Sequence, residues 1–307
     1  MATLDETKGL SAASRQHVAV MAEEVVGLVR ASHPQVVLDA TVGTGGHSEA
    51  LLEATDASLI GLDRDADALR TAAERLARFG SRVTLHQTDF AGIGGMLDEG
   101  GTPAVGAIVA DLGMSSFALD DPGRGFSFML EGPLDMRMDQ RDALRAYDLV
   151  NEESEEELAR IIYQYGEDRD SRRIARAIVA ARRRTPLEST GELRAVIEAA
   201  VGGRRQGGVN PATRTFQALR IAVNHETASL EQFLADAPGR LAAGGRLVML
   251  AYHSLEDRPV KRRFRELGAS GEFSLITRRA ARPSEGEVAR NRRARSARLR
   301  CLERTAN

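Results

Sequence analysis

The stretch VVLDATVGTGGHS, residues 36–48, decides the fold of this chain. Its apolar start up to Asp39 is typical of a buried strand, whereas the glycines after it end the strand before a helical pattern that begins near Ser48. Glycines at such a turn let the backbone approach a ligand, and the next helix offers unpaired N–H groups. The stretch therefore predicts either a turn that binds a ligand or an ordinary strand-to-helix connection.

A second predicted strand, SLIGLD, ends in Asp63, twenty residues after Gly43. An acid in this position can accept hydrogen bonds from ribose hydroxyls, so the two strand ends together favour an adenosine-type ligand. Gly43 and Gly45 match the first two glycines of the dinucleotide-binding pattern G-x-G-x-x-G, but Ser48 stands where the third glycine is required. The missing glycine favours S-adenosylmethionine over a pyrophosphate cofactor, and a nicotinamide-dependent dehydrogenase stays open as the alternative.

The order of the elements predicts an α/β fold with a parallel sheet that a helical segment interrupts. Repeated βα units imply right-handed crossovers between parallel strands. The predicted strands are 36–39, 58–63, 83–85, 105–111 and 246–251, the last after a Gly244–Gly245 turn. The helices that bear on the division into domains are 144–162, 171–184, 190–201 and 212–235. We expect a sheet domain in two parts, residues 1–125 and 214–307, and a helical insertion at residues 126–213.

Composition limits the class of protein. The chain has 307 residues, of which 42% are hydrophobic, and its single cysteine is Cys301. One cysteine excludes an intramolecular disulfide framework and fits a reducing compartment. No apolar run approaches the roughly 20 residues that a membrane span needs, and the N-terminal segment lacks the order of a signal peptide. We expect a cytoplasmic protein that has no membrane partner.

Positive charge is concentrated in two segments, although the formal net charge is only −2. Residues 169–184 hold seven arginines with one acid, and residues 278–304 hold ten arginines with three acids. This segregation predicts a surface that faces a polyanion, and solvated arginine-rich helices are an equally weighted alternative. The candidate RNA-binding residues are Arg172, Arg173, Arg176, Arg182, Arg183, Arg184, Arg293, Arg295 and Arg298.

Two more strands end in polar residues at the sheet edge where such folds bind ligands. The fourth strand runs into DLGMSS at Asp111, and the fifth runs into YHSLEDR at Tyr252. Tyr252 is a candidate for stacking on a base, whereas His253 is more often a histidine satisfied within a core. The six histidines show no ligand spacing, so the sequence predicts no metal site.

Nine segments match the motifs of one known family, in that family's order, from about His17 to Arg300. The segments are DATVGTGGHS, GLDRD, DLGMSS, RGFSF, GPLDMRM, YGEDRDSRRIARAI, NPATRTFQALRIAVN, YHSLEDR and RARSARLR. On these motifs the chain resembles the RsmH (MraW) family of bacterial 16S ribosomal RNA cytosine-N4 methyltransferases.

The resemblance implies a Rossmann-like methyltransferase sheet domain interrupted by a helical substrate-recognition domain. It implies methyl transfer from S-adenosylmethionine to the N4 amino group of a cytidine in the decoding centre of 16S rRNA, within the small ribosomal subunit. The residues that it assigns to the cofactor are Gly45, Gly46, His47, Asp63, Phe90 and Asp111.

The chain departs from the family where Ala118 stands in place of a frequent glutamine, which removes one side-chain contact to the cofactor. The motif after the fourth strand also lacks the paired prolines and the aromatic residue of many amino-methyltransferases. The catalytic residue is therefore not fixed, and Asp111, Tyr252 and His253 are its candidates. A non-catalytic binder in ribosome assembly is the rival interpretation, and both a monomer and a homodimer stay open.

Overall fold

The computed structural model describes residues 19–114, 116–202 and 210–306. Its strands are β1 (Val36–Asp39), β2 (Ser58–Asp63), β3 (Val83–Gln87), β4 (Val105–Asp111), β5 (Leu241–Ala251), β6 (Phe273–Leu275) and β7 (Arg298–Arg304). They form one seven-stranded sheet in the order β3-β2-β1-β4-β5-β7-β6. Neighbours among β1 to β5 pair in parallel, and β7 is antiparallel to both β5 and β6. The predicted α/β fold with a Rossmann-like sheet is confirmed.

Thirteen α-helices lie within the described residues. They are α1 (Ala22–Arg30), α2 (Gly46–Ala54), α3 (Ala66–Leu76), α4 (Ile93–Glu99), α5 (Ser116–Asp120), α6 (Ala146–Glu152), α7 (Glu155–Gly166), α8 (Ser171–Arg182), α9 (Thr190–Val201), α10 (Ala212–Val223), α11 (Glu226–Asp236), α12 (Ser254–Ser270) and α13 (Glu285–Arg290). None of the described helices is long and apolar enough to cross a membrane.

Strand β4 lies in the middle of the sheet and is covered on both of its faces. Its continuous apolar run puts Ile108 into a core with α4, α11 and α12, while Ala107 and Val109 pack into a second core with α1 and α2. Successive strand side chains point to opposite faces, so a strand covered on both faces must be apolar at every position. The apolar run predicts a central strand for this reason.

Three predicted elements differ from the structure by more than two residues. The helix predicted at 144–162 is two helices, because Ser154 accepts a hydrogen bond from the Glu157 amide and caps a new helix, α7. The helix predicted at 212–235 is also two helices, since His225 takes a positive φ of 52° between α10 and α11. The Gly244–Gly245 turn lies inside β5, where the register with β4 shifts at a bulge.

Helix α10 packs with the helices before it rather than with the sheet. One apolar core combines α6 to α9 with Phe216, Leu219 and Val223 of α10. The division at residues 125 and 213 stays a prediction, and we propose that the helical unit extends to about Asn224. The predicted first part also includes residues 1–18, which lie outside the described residues.

Two arginines join the helical unit to the end of β2. Arg64 donates to the Asn224 carbonyl at 2.6 Å and lies 3.2 Å from Asp142. Arg124, which is 6% exposed, lies 2.9 Å from the Asp65 carboxylate beside β2. Because Asp65 also caps α3, this second ion pair connects the loop before the helical unit to the sheet edge where the ligand site lies.

Candidate active site

A cavity of about 360 Å³ opens at the carboxyl ends of β1, β2, β3, β4 and β5. This volume falls within the range of about 300–1,000 Å³ that small-molecule and cofactor sites have. The cavity lies at the edge where open parallel sheets bind ligands. Of the predicted cofactor residues, Gly46, His47, Asp63, Phe90 and Asp111 line it. Gly45 is buried directly beside this lining, at the start of α2.

The glycine turn and Asp63 are joined by a direct contact. The Gly43 amide donates to Asp63 Oδ2 at 2.7 Å, and the Asp65 amide donates to Oδ1 at 2.9 Å. Gly45 has a φ of 85°, a conformation that favours glycine, and α2 begins directly after it. Burial raises the pKa of Asp63 to about 6. A carboxylate fixed by two backbone amides and facing the cavity is suited to accept hydrogen bonds from ligand hydroxyls.

His47 and Asp39 lie at the base of the turn. Asp39 is almost fully buried and accepts hydrogen bonds from the Ser48 hydroxyl at 2.6 Å and from the Thr41 amide at 3.1 Å. His47 Nε2 lies 2.9 Å from the Val20 carbonyl, and its Nδ1 lies 3.6 Å from Asp111 Oδ2. The imidazole therefore connects the segment before α1 to the end of β4.

Phe90 forms the apolar part of the cavity wall. Its ring meets the buried ring of Phe233 edge-on, with centroids 5.2 Å apart. The preceding residue, Asp89, accepts a hydrogen bond from the Ser229 hydroxyl at 2.8 Å. Helix α11 thus fixes the end of β3 from behind, and the Phe90 ring lines the cavity, where it can contact a flat ligand group.

Asp111 is the centre of a polar group at the end of β4. The Tyr252 hydroxyl donates to Asp111 Oδ1 at 2.6 Å, and the Asp111 amide donates to Thr41 Oγ1 at 2.7 Å. Burial raises the pKa of Asp111, and burial together with the nearby Asp111 charge raises the pKa of Tyr252. The tyrosine therefore stays protonated and donates, so Asp111 Oδ2 is the oxygen left to face His47 and a ligand.

His253 belongs to a different group from Asp111. Its Nε2 lies 3.0 Å from Glu256 Oε1 and 3.5 Å from an Arg220 nitrogen, and Glu256 also accepts from the Tyr252 amide at 2.7 Å. Burial opposes ionisation of Glu256, but the His253 hydrogen bond and the Arg220 charge lower its pKa overall. The imidazole is therefore held by a charged carboxylate.

Oxygens of Glu226 and Glu256 and a His253 nitrogen also lie within 4.8 Å of one another, a spacing that the sequence did not indicate. Arg220 forms a two-point ion pair with Glu226, at 2.7 Å for both contacts, and so supplies positive charge to this cluster. The cluster is a salt-bridge network in this structure.

Two carboxylates of the cavity wall can face a cationic group, although Arg64, Arg220 and Arg293 also line the cavity. Among the described residues, Asp63 and Asp111 have no arginine or lysine partner, and His47 is the nearest basic group to Asp111. S-adenosylmethionine carries a sulfonium, a ribose and an adenine, which match the free carboxylates, the Asp63 acceptor and the Phe90 face respectively. Ala118 lies in the wall, so the departure from the family pattern falls on the cavity itself.

The predicted RNA-binding arginines separate into two groups. Arg172, Arg173, Arg183, Arg184 and Arg295 are exposed. The other four have acidic or carbonyl partners. Arg176 lies 3.4 Å from Glu155, Arg182 donates to the carbonyls of Val150 and Glu153, Arg293 pairs with Asp120 at 2.9 Å, and Arg298 pairs with Asp257 at 2.8 Å. Arg293 also lines the cavity.

Sequence reasoning missed Arg220 and Glu226. In one continuous helix, residues six apart do not face each other. The single helix predicted over 212–235 therefore gave no contact between Arg220 and Glu226. The break at His225 folds Glu226 back onto Arg220. The available signal was the position of Arg220 inside the motif NPATRTFQALRIAVN.

Five parallel strands followed by a reversed β7, with the ligand cavity at their carboxyl ends, define a Rossmann-like methyltransferase that uses S-adenosylmethionine. A family model described as the MraW methylase family matches residues 14–305. The chain belongs to this family, and the dehydrogenase alternative is wrong.

Curated relatives match over nearly the whole chain. A ribosomal RNA small subunit methyltransferase H of Sorangium cellulosum is 48% identical over 94% of this chain and 91% of that protein. The protein of the same name from Gloeobacter violaceus is 48% identical over 96% of this chain and 90% of its own length. A solved putative methyltransferase from Streptococcus mutans, in complex with SAH, matches at 12% identity and a TM-score of 0.42, over 94% of this chain and 99% of that one.

Proposed function

We propose that the chain methylates the N4 amino group of a cytidine in the decoding centre of 16S rRNA, in the small ribosomal subunit and in the cytoplasm. The family membership and the relatives named ribosomal RNA small subunit methyltransferase H support a ribosomal RNA substrate. The observation that carries the proposal is the cavity, which combines a glycine turn, the Asp63 acceptor and the Asp111–Tyr252 pair at neighbouring strand ends. Whether two copies associate stays a prediction.

The cofactor would be held by the residues around the strand ends. Asp63 would accept from the ribose, Phe90 would cover the adenine, and the turn at Gly45 to His47 would face the methionine part. S-adenosylmethionine supplies an activated methyl group, so the protein needs to position the amine rather than create a nucleophile. The role needs the ionised form of Asp63, which is the stronger acceptor, and because burial raises the pKa of this carboxyl to about 6, that form predominates only above about pH 6.

Asp111 is our proposed acceptor for the amine. Tyr252 occupies Oδ1, so Oδ2 would accept an N4 hydrogen and orient the nitrogen lone pair toward the methyl group. Once the N–C bond forms and the S–C bond breaks, the amine carries one excess proton, and Asp111 is the base that would take it. Burial favours this step because it raises the pKa of the Asp111 carboxyl. His253 would hold the wall through Glu256 and not act as the base.

Methylation of isolated small subunits tests the function. Small ribosomal subunits from cells that lack this chain would be incubated with the purified protein and S-adenosylmethionine, and the rRNA would be digested and analysed by mass spectrometry. We expect one methyl group on the N4 of a single decoding-centre cytidine. If the subunits bind but acquire no methyl group, the chain is a non-catalytic assembly factor and the proposal is wrong.

Two variants test Asp111 as the proposed base. Asp111→Asn keeps the size of the side chain but removes the base, and we expect kcat to fall by about 10²–10⁴-fold, the usual contribution of a general base. Tyr252→Phe removes the hydrogen bond to Oδ1 and should reduce kcat less. Full turnover by Asp111→Asn would refute the assignment of the base while leaving the proposed reaction intact.

A further inference from the structure

A charged side chain of the helical unit reaches the cavity of the sheet domain. Arg220 belongs to α10, which packs in the helical core, and its own side chain is only 14% exposed and lines the cavity. Burying a guanidinium is costly unless it is paired. A two-point contact with Glu226 offsets this cost, since two guanidinium nitrogens each lie 2.7 Å from a Glu226 oxygen.

The surroundings of Arg220 fix the plane of its guanidinium. Glu226 is 17% exposed and begins α11. Glu256 on α12 is 8% exposed, and its negative charge also stabilises the Arg220 cation. His253 Nε2 lies 3.5 Å from the guanidinium. A guanidinium has five N–H donors, and Glu226 takes the one on Nε and one of the two on Nη2. The second Nη2 hydrogen has only the 3.5 Å contact to His253 Nε2, a nitrogen that is already 3.0 Å from Glu256. Donors on Nη1 and Nη2 therefore remain at the end of one rigid plane for another partner.

The cofactor and the catalytic pair do not account for this arginine. Glu256 connects the Asp111–Tyr252 pair to Arg220, because it accepts a hydrogen bond from the Tyr252 amide and contacts His253, which lies beside Arg220. Arg220 and Tyr252 therefore line one cavity, Arg220 from the helical unit and Tyr252 from the sheet domain. Glu226 and Arg220 also lie on opposite sides of the α10–α11 break, which fixes their relative position.

The chemistry of cytosine matches a planar donor pair. Beside its N4 amine, cytosine presents N3 and O2, which are two neighbouring acceptors, and a guanidinium can donate two parallel N–H bonds to such a pair. Uracil carries a hydrogen on N3, which would oppose one of these donors. A guanidinium at this edge thus selects cytosine and directs its amine away from the arginine.

We propose that Arg220 reads the N3 and O2 edge of the target cytosine and that Glu226 is the positioning residue that orients it. The inference rests on the proposed cytidine methylation. It makes Arg220 a specificity-determining residue, distinct from the residues assigned to the cofactor and from the Asp111–Tyr252 pair.

The test is a cycle of protein and substrate changes. Small subunits would be reconstituted with 16S rRNA that carries either cytidine or 3-deazacytidine at the target position, since the latter replaces only the N3 acceptor by C–H. The proteins are the unchanged chain, Arg220→Gln, and the paired variant Arg220→Gln with Glu226→Gln, which leaves no unpaired buried carboxylate. Arg70→Gln is the matched control, because Arg70 is exposed and pairs with Asp67.

On cytidine we expect kcat/KM to fall about 100-fold in both Arg220 variants, as two charged hydrogen bonds are lost. The unchanged protein should lose about 10-fold on 3-deazacytidine, and the Arg220 variants should lose nothing further. S-adenosylhomocysteine affinity by calorimetry should stay within about twofold in all variants, and the control should match the unchanged protein.

Three results would overturn the inference. An equal 3-deazacytidine penalty in the unchanged protein and the Arg220 variants would show that another group reads N3. A collapse of S-adenosylhomocysteine affinity would make Arg220 a cofactor residue, and activity restored to the Arg220 variants by a divalent cation would make the cluster a metal site. No methylation of cytidine by the unchanged protein would instead remove the proposed function, and this inference with it.

Discussion

The two arginine-rich regions look alike in the sequence and differ in the folded chain. On α8 and just after it, Arg172, Arg173, Arg183 and Arg184 are exposed. In the C-terminal region, Arg298 and Arg300 both contact the Asp257 carboxylate at 2.8 Å. The first region presents most of its charge to solvent. The second is divided, because Arg298 and Arg300 on β7 are paired inside the protein, whereas seven other arginines are exposed: Arg278, Arg279, Arg282, Arg290, Arg292, Arg293 and Arg295.

The reason lies in the elements that carry these arginines. Helix α8 is amphipathic, and residues such as Ile174 and Ile178 fill the helical core, so arginines between them must face outward. Strand β7 is enclosed between β5 and β6, and Arg300 within it is 8% exposed. The difference teaches that the density of arginines along a chain does not measure the positive charge that an RNA would meet.

The largest expected effect concerns the α8 region. Replacing Arg172, Arg173, Arg183 and Arg184 by glutamine should weaken binding to small subunits by on the order of 10³-fold near 0.1 M salt, if each contacts one phosphate. The slope of log affinity against log salt should fall by about 3–4. A salt titration of the binding measures both quantities.

The control for this set is the double variant of Arg70 and Arg262, which are exposed arginines of α3 and α12. It should keep the salt slope of the unchanged protein. An unchanged salt slope in the variant with four replaced arginines would contradict this prediction, because these exposed arginines would then have no part in binding RNA.

The second effect is on stability. Asp257→Asn leaves Arg298 and Arg300 without their shared carboxylate, and loss of one partner from a buried pair costs about 3 kcal/mol. Urea unfolding should show this decrease in the free energy of unfolding. A change below about 0.5 kcal/mol, the level of an ordinary surface substitution, would contradict the structural role of these C-terminal arginines.

The pH dependence of the stability that Asp257→Asn loses gives a sharper test. Burial opposes ionisation of Asp257, but the hydrogen bonds from Arg300 and Arg298 lower its pKa overall. A carboxylate with a depressed pKa in the folded state contributes stability above its unfolded pKa of about 3.9, and loses it as pH falls through the folded value. The gap in unfolding free energy between the unchanged protein and Asp257→Asn should therefore narrow from pH 5 downward, and a gap that stays constant to pH 2 would exclude the charge as its cause.

The smallest effect is expected at Arg293. Its pair with Asp120 is exposed, with 44% and 71% of the two side chains accessible, and exposed pairs contribute about 0–1 kcal/mol. Arg293→Gln should change the free energy of unfolding by less than about 0.5 kcal/mol in the same urea measurement. A loss as large as that of Asp257→Asn would show that the C-terminal arginines act as one structural network.

Strand ends were predictable from the sequence, and side-chain networks were not. Apolar runs bounded by glycines and acids gave β1, β2 and β4 their bounds, because strands covered on both faces leave a strong signal. The glycine turn and Asp63 met as expected at one sheet edge. The breaks at Ser154 and His225 depend on capping and on one left-handed residue, which periodicity does not detect. The Arg220–Glu226 contact depends on the second break, and so it was missed.

The two arginines at the end of β2 have a consequence for folding energetics. Arg64 bonds to the end of the helical unit, and the partner of Arg124, Asp65, donates its amide to Asp63, the acid that faces the cavity. We expect a ligand bound at Asp63 to strengthen, through these contacts, the attachment of the helical unit to the sheet. By thermodynamic linkage, whatever loosens those helices must equally weaken the grip on the ligand. Slower amide exchange on ligand addition would then extend from the sheet edge into α10, as if the two parts of the chain opened as one cooperative unit.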